Sequence, residues 1–502
     1  MQNSVNLFKN QSVNFILTVT ILQSKSRQRN LLLKMKTSTV RSFYVAVVII
    51  LTTGFSYGQQ PALLLSDALS NGIANYQSIH AKRNYFNSSK ELVQNARNEY
   101  LPNIIGGLQA AYGTANGQYG ALGPGSVPGL SASGPFMATQ NWNAAFGSQY
   151  VINANWEVFT FGRLKSRINF AQSQANTDSA DLLQEQFIQS VKIADAYLDL
   201  LIAQRLINNA KANLERAAGV QTVVLAKAKS GLIAGVDSSI ANAQVSNARI
   251  AVIDAVAREQ ERRNQLAQLM NDTPTAYVLD TSFFFKKIPA EFHTDTVPER
   301  NPQVQFYKAR IEQSDKYAEW LKKSILPGLN LFSILQTRGS GFNSDYSPVY
   351  NGSYSKSILD GISPTRSNYV TGVSVAWNIV SIAKIKHQVA AQNFISKGYT
   401  DEYNLVATQL KSQLVLADER IENTMQRFRE VPVQYKAASD AYVQKSVLYK
   451  NGLTDIVDLQ QALFALSRAE TDVSISYINV WQALLLKAAA SGDFDLFVRQ
   501  VR

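Results

Sequence analysis

The chain has 502 residues, enough for two or three ordinary domains, and contains no cysteine, which excludes a disulfide framework, a thiolate metal site and a lipoprotein-type cysteine near its start. Its formal net charge of +12 includes seven basic residues (Lys9, Lys25, Arg27, Arg29, Lys34, Lys36 and Arg41) and no acidic one within the first 58 positions, so the remainder carries only +5. That balance is too weak to argue for a nucleic-acid partner.

Residues 34–41 are basic, 43–55 are apolar, and Ser56-Tyr57-Gly58 places small residues at the first and third positions. This is the layout of a secretory signal cleaved before Gln59, and the apolar run is shorter than the ~20 residues a helical span needs. Met35 is an alternative start, with residues 1–34 as an upstream extension, and 1–58 are read together as leader. Residues 63–100 are predicted as a helix, capped by Ser66 or Asp67, weakly interrupted at Asn75 and stopped by Leu101-Pro102. A modest strand over 104–112 leads into an uncharged loop over 113–147, rich in Gly, Ser, Ala, Asn and Pro. Within that loop, 117–123 brushes a nucleotide-loop pattern but lacks its lysine and the following helix.

From Tyr150 the chain alternates: Tyr150, Ile152, Ala154, Trp156 and Val158 on one face, Asn153, Asn155 and Glu157 on the other, with Val151 out of pattern. Period two is the mark of a two-faced strand. After Gly162 the period changes, and Phe187, Val191, Ala194, Leu198 and Leu201 form a helical stripe. Between Arg163 and Gly231 only Gly219 interrupts, and there is no proline. At ~1.5 Å per residue the helix would be ~100 Å long, far beyond the usual ~11–12 residues. Gly231 to Gly235 makes a turn, and an alanine-rich return helix is predicted from Asp237 to Met270.

Residues 272–300 form a proline-rich connector with a local apolar knot at Phe283-Phe284-Phe285. The plan then recurs. A helix restarts at Asn301-Pro302 and stops at Leu326-Pro327, a strand follows over 329–337, and 338–367 is a second loop. A fourth strand places Tyr369, Thr371, Val373, Val375, Trp377 and Ile379 on one face and Gly372, Ser374, Ala376 and Asn378 on the other. A second rod is predicted over 383–449, with a return helix over 458–490. Trp377 stands opposite Trp156 and Gly452 opposite Gly231 at the same offset, so the chain is an internal duplication with rods of fixed length. Its pieces are a first repeat over 59–271, the connector, a second repeat over 301–490 and a tail over 491–502. Pro432 lies inside the second rod, where it should kink the helix.

Strands of about ten residues suit a tilted membrane-spanning strand. Trp156 and Trp377 lie at the rod ends of their strands, where an aromatic belt at the membrane interface is expected. Four strands cannot close a barrel and lipid does not tolerate open edges, so the sheet must be shared in a closed assembly. The predicted class is thus a mixed α+β membrane protein. Its soluble alternatives are a sandwich with tryptophan in the core or a coiled-coil scaffold.

The junction Trp156…Phe159-Thr-Phe-Gly-Arg163, the tips Gly231-Leu232…Val236-Asp237 and Tyr449…Gly452-Leu453…Val457-Asp458, and the Leu-Pro pairs at 101 and 326 resemble the duplicated outer-membrane efflux proteins of the TolC type, over residues 62–490. The resemblance implies a homotrimer with a twelve-stranded barrel set in outer-membrane lipid and a coiled-coil helical tunnel in the periplasm. It also implies a periplasmic adaptor and an inner-membrane pump, proton-driven or ABC, as partners. The implied function is a passive exit duct; a type I protein secretion conduit shares the architecture. Asp458 matches a family aspartate at the tunnel constriction, while Gln461 stands where a second one is usual. A ring of Asp458 would favour cations, although Asp458, like Asp237, also suits a helix cap. Tyr449 and Asp237 match a tip hydrogen-bond network whose arginine falls at Thr454, leaving Lys450, Lys227 or Lys229 as substitutes. No cofactor, metal or enzymatic activity is expected: His80, His293 and His387 are scattered, and there is no nucleophile elbow or HExxH pattern.

Overall fold

The computed structural model describes residues 62–117, 134–273, 277–292 and 298–501. The leader, its cleavage position, Met35, His293 and most of the 117–123 segment lie outside these residues.

The predicted first helix is two: α1 (Leu65–Asn75) and α2 (Gln77–Asn98), separated at Tyr76, whose backbone is extended. Neither Ser66 nor Asp67 caps α1. Its cap position is Leu64, without a side-chain bond, because Leu63 is already anchored through its N–H to Val278 O at 2.7 Å and draws the helix start forward.

Four antiparallel strands form one sheet in chain order: β1 (Asn103–Thr114), β2 (Ala144–Phe159), β3 (Gly328–Ser340) and β4 (Arg366–Ala376). The strands are longer than the alternation alone suggests, β2 beginning at Ala144 rather than Tyr150. Their register sorts the side chains. Opposed residues Leu108, Tyr150 and Thr337, then Ile152, Leu335 and Tyr369, then Trp156, Leu331 and Val373, share one face. Gln109, Gln149, Asn153, Asn155, Glu157, Gln336, Arg338 and Asn368 share the other. Hydroxyls on the apolar face bond each other, Ser333 with Thr371 and Thr337 with Ser367, each at 3.0 Å. Most of this apolar face is exposed in the single chain. At one end of the face Tyr112 packs on Phe146, ring centroids 4.7 Å apart, and at the other stands Trp156. Phe146 to Trp156 spans ~33 Å along a strand, or ~25 Å if the strand is tilted by ~40°.

Trp377 is not on β4, which ends at Ala376; the predicted fourth strand is too long. Both tryptophans nevertheless do the same thing. Trp156 Nε1 donates to Tyr100 O at 2.8 Å and Trp377 Nε1 to Ile325 O at 3.0 Å. Each indole pins a strand foot to the carbonyl just before a Leu-Pro pair, where the proline leaves helix carbonyls without an intrahelical donor.

The first rod is α3 (Arg163–Lys229, 67 residues) with return helix α4 (Gly235–Met270, 36 residues). A short α5 (Thr281–Phe284) and a 3-10 turn at Pro298–Arg300 cross to α6 (Pro302–Lys323), which Asn301 caps by accepting from Gln303 N–H. The loop helix α7 (Ile358–Ile362) precedes β4. The second rod is α8 (Ser381–Lys450, 70 residues), returning through α9 (Ile456–Ser491, 36 residues). The two return helices are equal in length. The three extra residues of α8 lie at its sheet end, where β4 stops short of the position at which β2 stops, so the tips stay matched. Pro432 sits within an unbroken α8.

The main core lies part-way along the rods. Tyr197, Leu198 and Leu201 of α3 meet Trp481, Leu484 and Leu485 of α9, with Leu65 and Leu69 of α1 closing over them. The phenylalanine knot is part of this core rather than local: Phe284 is buried and stands 5.1 Å from Trp481, edge to face. The supposed tail also joins it, since α10 (Asp495–Val501) buries Phe497 against Trp481 at 6.0 Å. Among the described residues no helix is long and apolar enough to cross a membrane.

Candidate functional site at the hairpin tips

Both rods end in the same turn. Gly231 and Gly452 adopt left-handed φ of 69° and 74°. Gly231 N–H donates to Ala228 O and Leu232 N–H to Lys227 O, while Gly452 N–H donates to Tyr449 O and Leu453 N–H to Leu448 O. This is a Schellman closure, which satisfies the last helix carbonyls and needs glycine at the left-handed position. It throws Leu232 and Leu453 outward, 72 % and 71 % exposed.

Behind the turns the hairpins pack on each other. Val224 of α3, Ala241 of α4, Tyr449 of α8, and Ile456 and Leu459 of α9 form one buried cluster. Lys227 bridges the hairpins: its Nζ donates to Tyr449 O at 2.7 Å and lies 4.9 Å from the centre of the Tyr449 ring. Of the three lysines suggested by the sequence, Lys227 makes this contact. The Tyr449 Oη is buried and has no partner among the described residues. Burial, and secondarily the charge of Asp237, pushes its pKa up.

Neither aspartate caps its helix. The cap of α9 is Asp455, whose Oδ1 accepts from Asp458 N–H at 2.8 Å, and the cap position of α4 is Ala234, with no side-chain bond. Asp458 instead accepts from Lys445 Nζ at 2.5 Å and from Thr454 Oγ1 at 2.8 Å. These two donors hold its carboxyl below the usual carboxylate range, Lys445 foremost. Gln461 is exposed one turn further on. Lys445 is absent from any sequence pattern considered above. Its counterpart in the first repeat is Val224, and that departure from the duplication was the signal available.

Higher up, Arg216 of α3 makes a bidentate pair with Glu470 of α9, at 3.0 Å and 2.5 Å, and Asn209 Nδ2 donates to Ser474 Oγ at 3.0 Å. The seam between hairpins is therefore polar and paired above, apolar with one bridging lysine at the tip. No group of acidic and histidine side chains capable of holding a metal occurs among the described residues.

Residues 69–272 match the family described as outer membrane efflux protein. That stretch of the chain is similar to the family, and it covers the first repeat. The chain has the fold of solved outer-membrane channels. The channel OprN is 16% identical, with a TM-score of 0.66 over 86% of this chain and 90% of that one. CusC is 10% identical, with a TM-score of 0.68 over 85% and 92%. The open state of MtrE from Neisseria gonorrhoeae is 17% identical, with a TM-score of 0.64 over 85% and 88%. No curated protein sequence matches this chain.

Proposed function

We propose that this protein is the exit duct of a tripartite efflux system, a passive conduit from periplasm to exterior that is closed at the helix tips. The observation that carries the reading is a two-faced sheet continuous with two hairpins of matched reach, in a chain whose residues 69–272 match the outer membrane efflux family. β1 and β4 each leave an edge unpaired, which lipid does not tolerate. Three copies would pair these edges into a twelve-stranded barrel with the polar face around a lumen. The rods support the same assembly, because Phe394, Leu405 and Val415 of α8 are exposed apolar residues along a helix that needs a neighbour.

The tips form the gate. Opening separates Lys227 from Tyr449 while the Arg216–Glu470 pair above remains as a pivot. That MtrE has a solved open state supports a two-state tip for this fold. Outward Leu232, Val236, Leu453 and Val457 give an apolar landing for the periplasmic adaptor, which links the duct to an inner-membrane pump, proton-driven or ABC. Reconstituted in a planar bilayer, the protein should show small closed-state conductance, and Lys227→Ala should raise it. Absence of conductance from both proteins would refute the duct.

A further inference from the structure

The loop between β3 and β4 folds back onto the sheet instead of projecting from it. The end of α7 lies on the apolar face. Tyr150 Oη donates to Ile362 O at 2.7 Å, and Ser148 Oγ donates to the same carbonyl at 3.3 Å. Gly339, opposite Ser148 on β3, points the same way: a Cβ there would stand 2.5 Å from Ser363 O. On the loop side, a Cβ on Gly361 would come within 2.2 Å of Phe146 Cβ. The seat therefore needs glycine on both surfaces. It also answers a chemical demand. Ser148 and Tyr150 are hydroxyls on a face that lipid would cover, and the Ile362 carbonyl gives both a partner where lipid offers none.

The inner side of α7 is thus used by the sheet, and its outer side shows Ile358 and Leu359, 53 % and 67 % exposed. These two continue the apolar band of the sheet at its loop end. Exposed Lys356 stands just before them, a charge suited to anionic headgroups. We propose that α7 is an interfacial foot, with Ile358 and Leu359 inserted at the headgroup–acyl boundary of the outer leaflet. This rests on the reading of the apolar sheet face as lipid-facing.

Because the chain lacks cysteine, Leu359→Cys, Ile152→Cys and Asn153→Cys each carry a single environment-sensitive fluorophore. The labelled full-length proteins are reconstituted into vesicles whose phospholipids are brominated on the acyl chains. Loss of fluorescence is expected at Ile152 and at Leu359 but not at Asn153, on the polar face. Loss at Ile152 without loss at Leu359 overturns the foot and leaves the barrel standing. No loss at either overturns the lipid-facing sheet itself. A Leu359 label shielded from both bromolipid and aqueous iodide means that protein covers it, which also overturns the proposal. Ile358→Cys repeats the measurement should the Leu359 variant fail to insert. Gly361→Leu, which cannot take the seat on Phe146, should abolish quenching at Leu359 and keep it at Ile152.

Discussion

Lys445 changes what Asp458 means. A bare ring of aspartates would favour cations, but here Asp458 carries its own ammonium, Lys445 Nζ, at 2.5 Å. Counting the two turns with their flanks, Lys227, Lys229, Lys445 and Lys450 face Asp237, Asp455 and Asp458, so the tip is slightly cationic. Lys445→Met should shift the reversal potential of the reconstituted channel toward cation selectivity, and Asp458→Ala toward anions; no shift in either variant would remove this pair from the conduction path. The pH sign follows from the depressed carboxyl. The Asp458 contribution is complete above the ordinary carboxylate range and is lost only as pH falls through its lowered value. A lock of this kind stays intact at neutral pH and is not an acid switch of mild range. At the turns, Gly231→Ala and Gly452→Ala should each cost ~1–2 kcal/mol of local stability, because a Cβ is disfavoured at left-handed φ. Hydrogen exchange of the tip amides would register that cost, and protection equal to the parent would refute it.

Among the elements, the return helices carry the strictest constraint. Both have 36 residues, and the surplus in the second rod is absorbed next to the sheet. Tip register is therefore maintained at the expense of the strand end, as expected if four helices must present one buried cluster at a common level. Removing seven residues from α8 alone displaces its tip by ~10 Å, about two turns of helix. It should separate Tyr449 from Lys227 and leave the duct open or unassembled. Removing two turns from all four helices should be tolerated better. Growth in the presence of toxic solutes compares the two deletions, and equal performance would end the matched-reach argument. Pro432 belongs to this scale as well. It removes one backbone donor from α8 without interrupting the helix, consistent with the exposed position it occupies.

The molecule as a whole depends on two packings of different kind. Part-way along the rods, Trp481, Tyr197, Phe284 and Phe497 draw both repeats, the connector and the final helix into one core. Trp481→Ala should destabilise the helical part by ~3–5 kcal/mol, lowering the thermal midpoint of its helical signal; a change under 1 kcal/mol would contradict the central place given to that side chain. The sheet is different, since most of its apolar face has no cover within the chain.

Much of this is legible in the amino-acid sequence. Period two at Tyr150 to Val158, the unbroken run from Arg163 to Lys229 and the repeat of Trp156 at Trp377 and Gly231 at Gly452 are local or periodic signals, and a linear chain displays them directly. Those signals determined the strands, the rods, the duplication and the place of the turns. They could not determine which groups meet across the turns or across the sheet. The pairing of Lys445 with Asp458, the burial of the phenylalanine knot and the seat of Ile362 on Ser148 and Tyr150 were decided by tertiary structure alone. Each joins residues that no shared period links, and their distances are set by how helices pack and strands register, not by their spacing along the chain.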